Sequence, residues 1–83
     1  NLVLKTYVND EERQNSNTSL MIYDCFTLIE YLSTAFTLMP GDIIATGTPV
    51  GVGIGFSPPK FLKSGDKVTI NVTGLGSLTN PVI

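Results

Sequence analysis

Between Ala45 and Phe56 the chain reads Ala-Thr-Gly-Thr-Pro-Val-Gly-Val-Gly-Ile-Gly-Phe, a run that holds four of its eight glycines directly after an apolar stretch. Gly47, Gly51, Gly53 and Gly55 tolerate positive φ and carry no side chain, so the backbone can bring N–H donors close around an anionic or carbonyl group. The same composition serves a chain that only turns a corner. Nucleotide-loop patterns do not fit it. A dinucleotide fingerprint requires a third glycine at its set offset and then a helix, but Phe56 and Pro58 stand there and Pro58-Pro59 bars helix entry. A phosphate-binding Walker loop requires a closing Gly-Lys-Ser/Thr, and no lysine closes this run.

Around that loop the sequence reads as mainly β with one short helix. Leu2, Leu4, Thr6 and Val8 share one face of a strand, and Asn9-Asp10 turns it back into Glu11 to Gln14. Asp24 is placed to cap a helix on which Cys25, Leu28, Ile29, Leu32 and Phe36 recur at helical spacing, predicting a core-facing stripe with Glu30 and Ser33 toward water. Pro40-Gly41-Asp42 predicts a tight turn that launches a strand over Asp42 to Ala45. Ser64-Gly65-Asp66 repeats the device and launches Lys67 to Val72, where Val68, Ile70 and Val72 alternate with Lys67, Thr69 and Asn71. Gly74-Leu75-Gly76 then turns the chain into Leu78 to Ile83. No linker or true repeat divides residues 1–83, which predicts one domain.

Composition narrows the partners. A net charge of −2 with five scattered basic residues offers no basic stripe for nucleic acid. No apolar run reaches the roughly 20 residues of a membrane helix, and no signal-peptide pattern opens the chain. Cys25 is the one cysteine, so no internal disulfide can form and a cytoplasmic or mitochondrial setting is expected. With no histidine in the chain and an apolar helix face around it, Cys25 reads as a buried structural thiol. The sequons at Asn17 and Asn71 matter only in a secreted chain.

A hard cation needs several converging oxygen ligands. The carboxylates are Asp10, Glu11, Glu12, Asp24, Glu30, Asp42 and Asp66. Glu11 and Glu12 are adjacent and diverge if extended, while Asp42 and Asp66 sit in turns where they can bond local amides. No metal ligands and no catalytic acid–base group are therefore assigned.

Leu38-Met39-Pro40-Gly41-Asp42-Ile43-Ile44-Ala45-Thr46-Gly47-Thr48-Pro49, Gly51-Val52-Gly53, Pro58-Pro59, Phe61-Leu62-Lys63, Gly65-Asp66 and Gly74-Leu75-Gly76 together resemble the C-terminal part of the fumarylacetoacetate hydrolase family. Arg13-Gln14-Asn15-Ser16-Asn17-Thr18-Ser19, Met21-Ile22 and Leu28-Ile29-Glu30-Tyr31-Leu32-Ser33 also look like it, so the resemblance spans nearly the whole chain. It implies a piece of a mixed β-sandwich roll, from an enzyme several times longer that is usually a homodimer. It further implies Mg²⁺ held by residues upstream of this region, and small oxo acids or β-dicarbonyl compounds cleaved, isomerised or decarboxylated.

Residue by residue, the resemblance carries over Gly47 and Thr48, which match a Gly-Thr motif whose threonine contacts substrate carboxylate or carbonyl oxygens. A hydroxyl beside glycine amides suits that work; it could also close only its own turn. The piece alone is expected to be inactive, and the alternative is a non-catalytic binding or structural remnant without the metal site. Three positions depart from the family pattern: Asp10 where glycine usually completes the hairpin, Leu20 where aspartate is common, and Thr79 for a frequent basic residue.

Overall fold

Two hairpins, one from each end of the chain, make the sheet. A computed structural model describes residues 1–83, with strands β1 (Val3–Val8), β2 (Glu11–Asn17), β3 (Lys67–Val72) and β4 (Gly76–Pro81) and one α-helix, α1 (Cys25–Ser33). The strand order is β2-β1-β3-β4 and every pairing is antiparallel. The chain is thus mainly β with one short helix, as its alternation and turn residues predict.

The first hairpin turns on Asn9, whose φ is +55°, while Asp10 does not enter the positive region. Only the first turn position therefore asks for a left-handed residue, and asparagine is among the few side chains that supply it. Aspartate in the second position costs the turn nothing of what glycine would have given. β2 runs on to Asn17, beyond the expected Gln14, because its partners on β1 extend down to Val3. At its centre the register shifts. Thr6 faces Gln14 and Tyr7 faces Glu12, leaving Arg13 as the extra residue of a β-bulge.

The two Gly-Asp turns are the same device. Gly41 and Gly65 both have φ +92°. In each, the aspartate N–H reaches the carbonyl three residues back (Met39, Lys63) at 3.1 Å, and its carboxylate accepts the N–H of that same residue at 2.7 and 3.0 Å. This is a turn with glycine where a left-handed third residue is required. The second turn launches β3 as predicted. The first launches no strand, which corrects the expectation for Asp42 to Ala45: no backbone of this chain lies alongside to form a ladder, and Ile43 is 95% exposed.

The helix starts where the capping residue says it should, with Asp24 Oδ1 accepting the Thr27 N–H at 2.7 Å. Its stripe, however, is not buried. Leu28 and Leu32 are half-covered, Cys25 is exposed rather than a buried thiol, and Phe36 falls past the helix end at Ser33. On that face only Leu28, which borders a cleft shared with Leu4 and Thr46–Pro49, and Leu32 are partly covered.

Only Val8 and Asp66 are buried throughout the chain. The accessible surface is 6694 Å², against about 4,800 Å² for a self-contained protein of this mass. The excess of about 1,900 Å² is more than twice what one partner loses in a standard protein interface. The radius of gyration, 15.3 Å, likewise exceeds the roughly 12 Å of a compact chain of this length. The uncovered surface is rich in Leu, Ile, Val and Phe, so the apolar faces of sheet and helix are built but lack a second layer. No helix is long and apolar enough to cross a membrane.

Candidate functional site: the glycine loop on the bulged strand

The segment from Ala45 to Phe56 lies against the bulge of β2. An ordinary strand sends neighbouring side chains to opposite faces. With the extra residue in place, both Arg13 and Gln14 reach the loop. The Arg13 guanidinium lies 5.3 Å from the Phe56 ring centre and donates to the Lys60 carbonyl at 3.3 Å. The Lys60 ammonium lies 4.8 Å from the same ring. Glu11 joins the two cations, bonding Lys60 at 3.1 and 3.2 Å and pairing with Arg13 Nε. The hydrogen bond from Lys60, and then that from Arg13, hold the Glu11 carboxyl below its ordinary range. Phe56 is therefore clipped down by two cations over its ring and one carboxylate behind them.

Two glycines make the close approach. A Cβ on Gly51, whose φ is +113°, would lie inside the van der Waals envelope of the Arg13 carbonyl oxygen and 2.8 Å from Gln14 Cγ. One on Gly53 would strike the Lys60 carbonyl oxygen, whose residue donates its own N–H to the Gly53 carbonyl at 2.8 Å. Gly47 is different. Its φ is +90° but the space around it is open, so backbone conformation alone requires glycine there.

Thr48 follows at the ridge between two open clefts. One, of about 530 Å³, is bounded by Thr46–Pro49 and by Leu4, Ser16, Met21, Ile22 and Leu28; the other, of about 520 Å³, lies between the loop and the sheet residues Thr6, Val8 and Val68. The Thr48 hydroxyl does not close its own turn: its one partner in the chain is Gln14 Nε2, at 2.8 Å, and the same nitrogen donates to the Pro49 carbonyl at 3.1 Å. The amides of Gly47 and Thr48 donate to no group of the chain. Sequence reading missed Gln14, which stands 34 residues from Thr48 in the chain. The motif Arg13-Gln14 was visible, but nothing local says which loop it meets.

The carboxylates are otherwise engaged or scattered. Asp24 caps α1, and the Thr27 amide holds its carboxyl below its usual range. Asp66 is 5% exposed and accepts from the Lys63 amide, from Asn9 Nδ2 at 3.2 Å and from the Lys63 ammonium at 3.5 Å. The Lys63 backbone bond, and next the Asn9 side chain, draw its carboxyl down. No three His, Cys, Asp or Glu side chains converge anywhere. A divalent cation does not fit the residues of this chain.

A family model for the C-terminal region of fumarylacetoacetate (FAA) hydrolases matches residues 1–83. The chain belongs to the fumarylacetoacetate hydrolase family. Its likeness to this family's members extends to curated proteins and to solved structures. It is 54% identical over 81 residues to the oxaloacetate tautomerase of Bacillus subtilis, covering 98% of this chain and 27% of that protein. The fumarylacetoacetate hydrolase of Exiguobacterium antarcticum superposes with a TM-score of 0.94 at 44% identity, over 98% of this chain and 29% of that one. The maleylpyruvate hydrolase of Sphingobium, solved with manganese(II) and pyruvate, gives 0.86 at 40% identity, over 99% and 28%. The chain thus spans little more than a quarter of the length of these three relatives, a tautomerase and two hydrolases.

Proposed function

We propose that this chain supplies the substrate-contacting loop of a divalent-metal-dependent enzyme acting on small oxo acids, with Gly47 and Thr48 meeting the oxygens of the substrate. The observation that carries the reading is the concentration of unused donors at one point. The Thr48 hydroxyl and the Gly47 and Thr48 amides stand together at the ridge between two clefts, on a loop held down by the Phe56 clip. An oxo acid presents carboxylate and carbonyl oxygens, and gains negative charge on oxygen when it enolises. Preset N–H and O–H donors favour that charge without reorganising.

A divalent metal, Mg²⁺ or the manganese(II) named for the maleylpyruvate hydrolase, would be held by residues outside this chain and would supply enolate stabilisation there. This chain's own share is to bind and orient the acid. The uncovered apolar faces of the sheet and of α1 pack on the remainder of the catalytic domain, and the whole enzyme works as a homodimer in the cytoplasm or mitochondrion. Tautomerisation, C–C hydrolysis and decarboxylation all pass through such an enol or enolate, so the loop serves any of them.

The test is kinetic. In the full-length protein with Mg²⁺ or Mn²⁺, Thr48→Val is expected to lower kcat/KM for oxaloacetate tautomerisation or acylpyruvate hydrolysis by about ten- to a hundredfold, the worth of a hydrogen bond to a charged group. The melting temperature should hardly move. Unchanged kinetics would remove Thr48 from the substrate. A second reading, a non-catalytic binding or structural remnant, draws on the lack of converging metal ligands; it predicts no turnover of any oxo acid.

A further inference from the structure

Gln14 is the one side chain that touches the Thr48 hydroxyl, and its amide cannot be turned around. Its nitrogen lies 3.1 Å from the Pro49 carbonyl oxygen, which can only accept, so the flipped amide would set oxygen against oxygen. Both amide hydrogens are therefore spent, one on Pro49 and one on Thr48 Oγ1 at 2.8 Å. Since Thr48 must accept from Gln14, its own single proton points elsewhere.

We propose that Gln14 is a positioning residue that fixes the polarity of the site: it commits the Thr48 hydroxyl to donate, so that the group bound there is an acceptor oxygen, a carboxylate, carbonyl or enolate. This rests on the assignment of Thr48 to the substrate made above. The bulge at Arg13 and the missing side chain of Gly51 are what allow it. The bulge lets Gln14 turn to the loop beside Arg13, and a Cβ at Gly51 would lie 2.8 Å from Gln14 Cγ. A free threonine hydroxyl spins among its rotamers and donates or accepts as neighbours dictate; here the choice is made before the ligand arrives, which is the preorganisation that favours charge developing on oxygen.

The experiment uses the full-length protein with Mn²⁺ and oxaloacetate, and four variants: Thr48→Val, Gln14→Met, Gln14→Glu and the double variant Gln14→Met/Thr48→Val. Gln14→Met keeps length and shape but donates nothing, and is expected to lower kcat/KM about three- to tenfold. If Gln14 acts through Thr48, the double variant falls no further than Thr48→Val alone, within about twofold, because contacting residues that work as a unit are not additive.

Gln14→Glu gives a signature that a packing role would not. Ionised, the new carboxylate accepts a hydrogen bond from the Thr48 hydroxyl and draws its donor away from the ligand, so the loss should exceed that of Gln14→Met. Protonated, it can donate again, so its kcat/KM relative to the unsubstituted enzyme should climb as pH falls. Should Gln14→Met fail to fold, this near-isosteric variant carries the test. Gln14→Met behaving as unsubstituted, losses that multiply in the double variant, or a flat pH ratio for Gln14→Glu would overturn the role of Gln14 while leaving Thr48 in place. A kinetically silent Thr48→Val would overturn both.

Discussion

Replacing glycines one at a time separates the two reasons this chain has for using them. Gly65 has φ +92° and open space around it, so Gly65→Ala tests backbone conformation alone. A left-handed residue with a Cβ costs about 1–2 kcal/mol. Gly53 has no positive φ, but a Cβ there meets the Lys60 carbonyl oxygen, so Gly53→Ala tests contact alone. Gly51 has both, with φ +113° and a Cβ driven into the Arg13 carbonyl. A backbone atom cannot step aside as a side-chain tip can, and overpacking costs about 1–3 kcal/mol. Gly51→Ala should therefore cost about 2–5 kcal/mol, the largest of the three. Urea denaturation of the full-length protein reads this directly. With a slope of about 3 kcal/mol per molar, a 3 kcal/mol loss moves the midpoint by about 1 M. On the activity proposed above, turnover of an oxo acid such as oxaloacetate should drop as well in Gly51→Ala and stay near normal in Gly65→Ala. If Gly51→Ala and Gly65→Ala shift the midpoint equally, the loop is not seated on the bulge as described.

Three further expectations follow from particular contacts. The 83 residues expressed alone should show no cooperative thermal unfolding and should bind hydrophobic dyes, since the chain leaves about 1,900 Å² more surface exposed than a compact protein would; a sharp calorimetric transition would contradict this. In the full-length protein, Asp66→Asn should be most destabilising at neutral pH. Its folded carboxyl is held below the unfolded value of about 3.9, so its stabilisation is present above that value and is lost as pH falls through the folded one. The gap between variant and unsubstituted protein should narrow below about pH 4, and a gap constant with pH would show that the charge is not what matters. Asp24→Ala should cost about 1 kcal/mol through the lost cap at Thr27, measured by the same denaturation.

What could be read from the sequence was local. Gly41 and Gly65 announce their turns because the conformation needs glycine in place, and the aspartate that follows bonds an amide three residues back. Asp24 announces the helix start for the same reason. The glycine loop was legible as a loop; the substrate role of Gly47 and Thr48 is a proposal that the family resemblance suggests. The rest depended on distant partners. A strand over Asp42 to Ala45 looked right residue by residue, but a strand is made by pairing and no partner lies in this chain. Cys25 and Ile29 sit on an apolar stripe of which only Leu28 and Leu32 are partly covered here, so helical spacing predicts a buried face and the chain presents a mostly open one. The bulge at Arg13 leaves no mark in Glu-Glu-Arg-Gln-Asn-Ser-Asn, a polar run without alternation. The meeting of Gln14 with Thr48 exists only after β2 has folded under the loop. The three departures from the family pattern settle quietly: Asp10 needs no positive φ, Leu20 is exposed beside the cleft, and the Thr79 hydroxyl bonds its cross-strand partner Thr69 at 2.9 Å.

The most direct measurement is a crystal structure of the full-length protein soaked with manganese(II) and pyruvate. A pyruvate oxygen should lie within about 3 Å of Thr48 Oγ1, with Gln14 still donating to that hydroxyl and the Gly47 or Thr48 amide facing the same ligand. Pyruvate bound at the metal with Thr48 and the glycine loop out of hydrogen-bonding reach would contradict the role given to this chain.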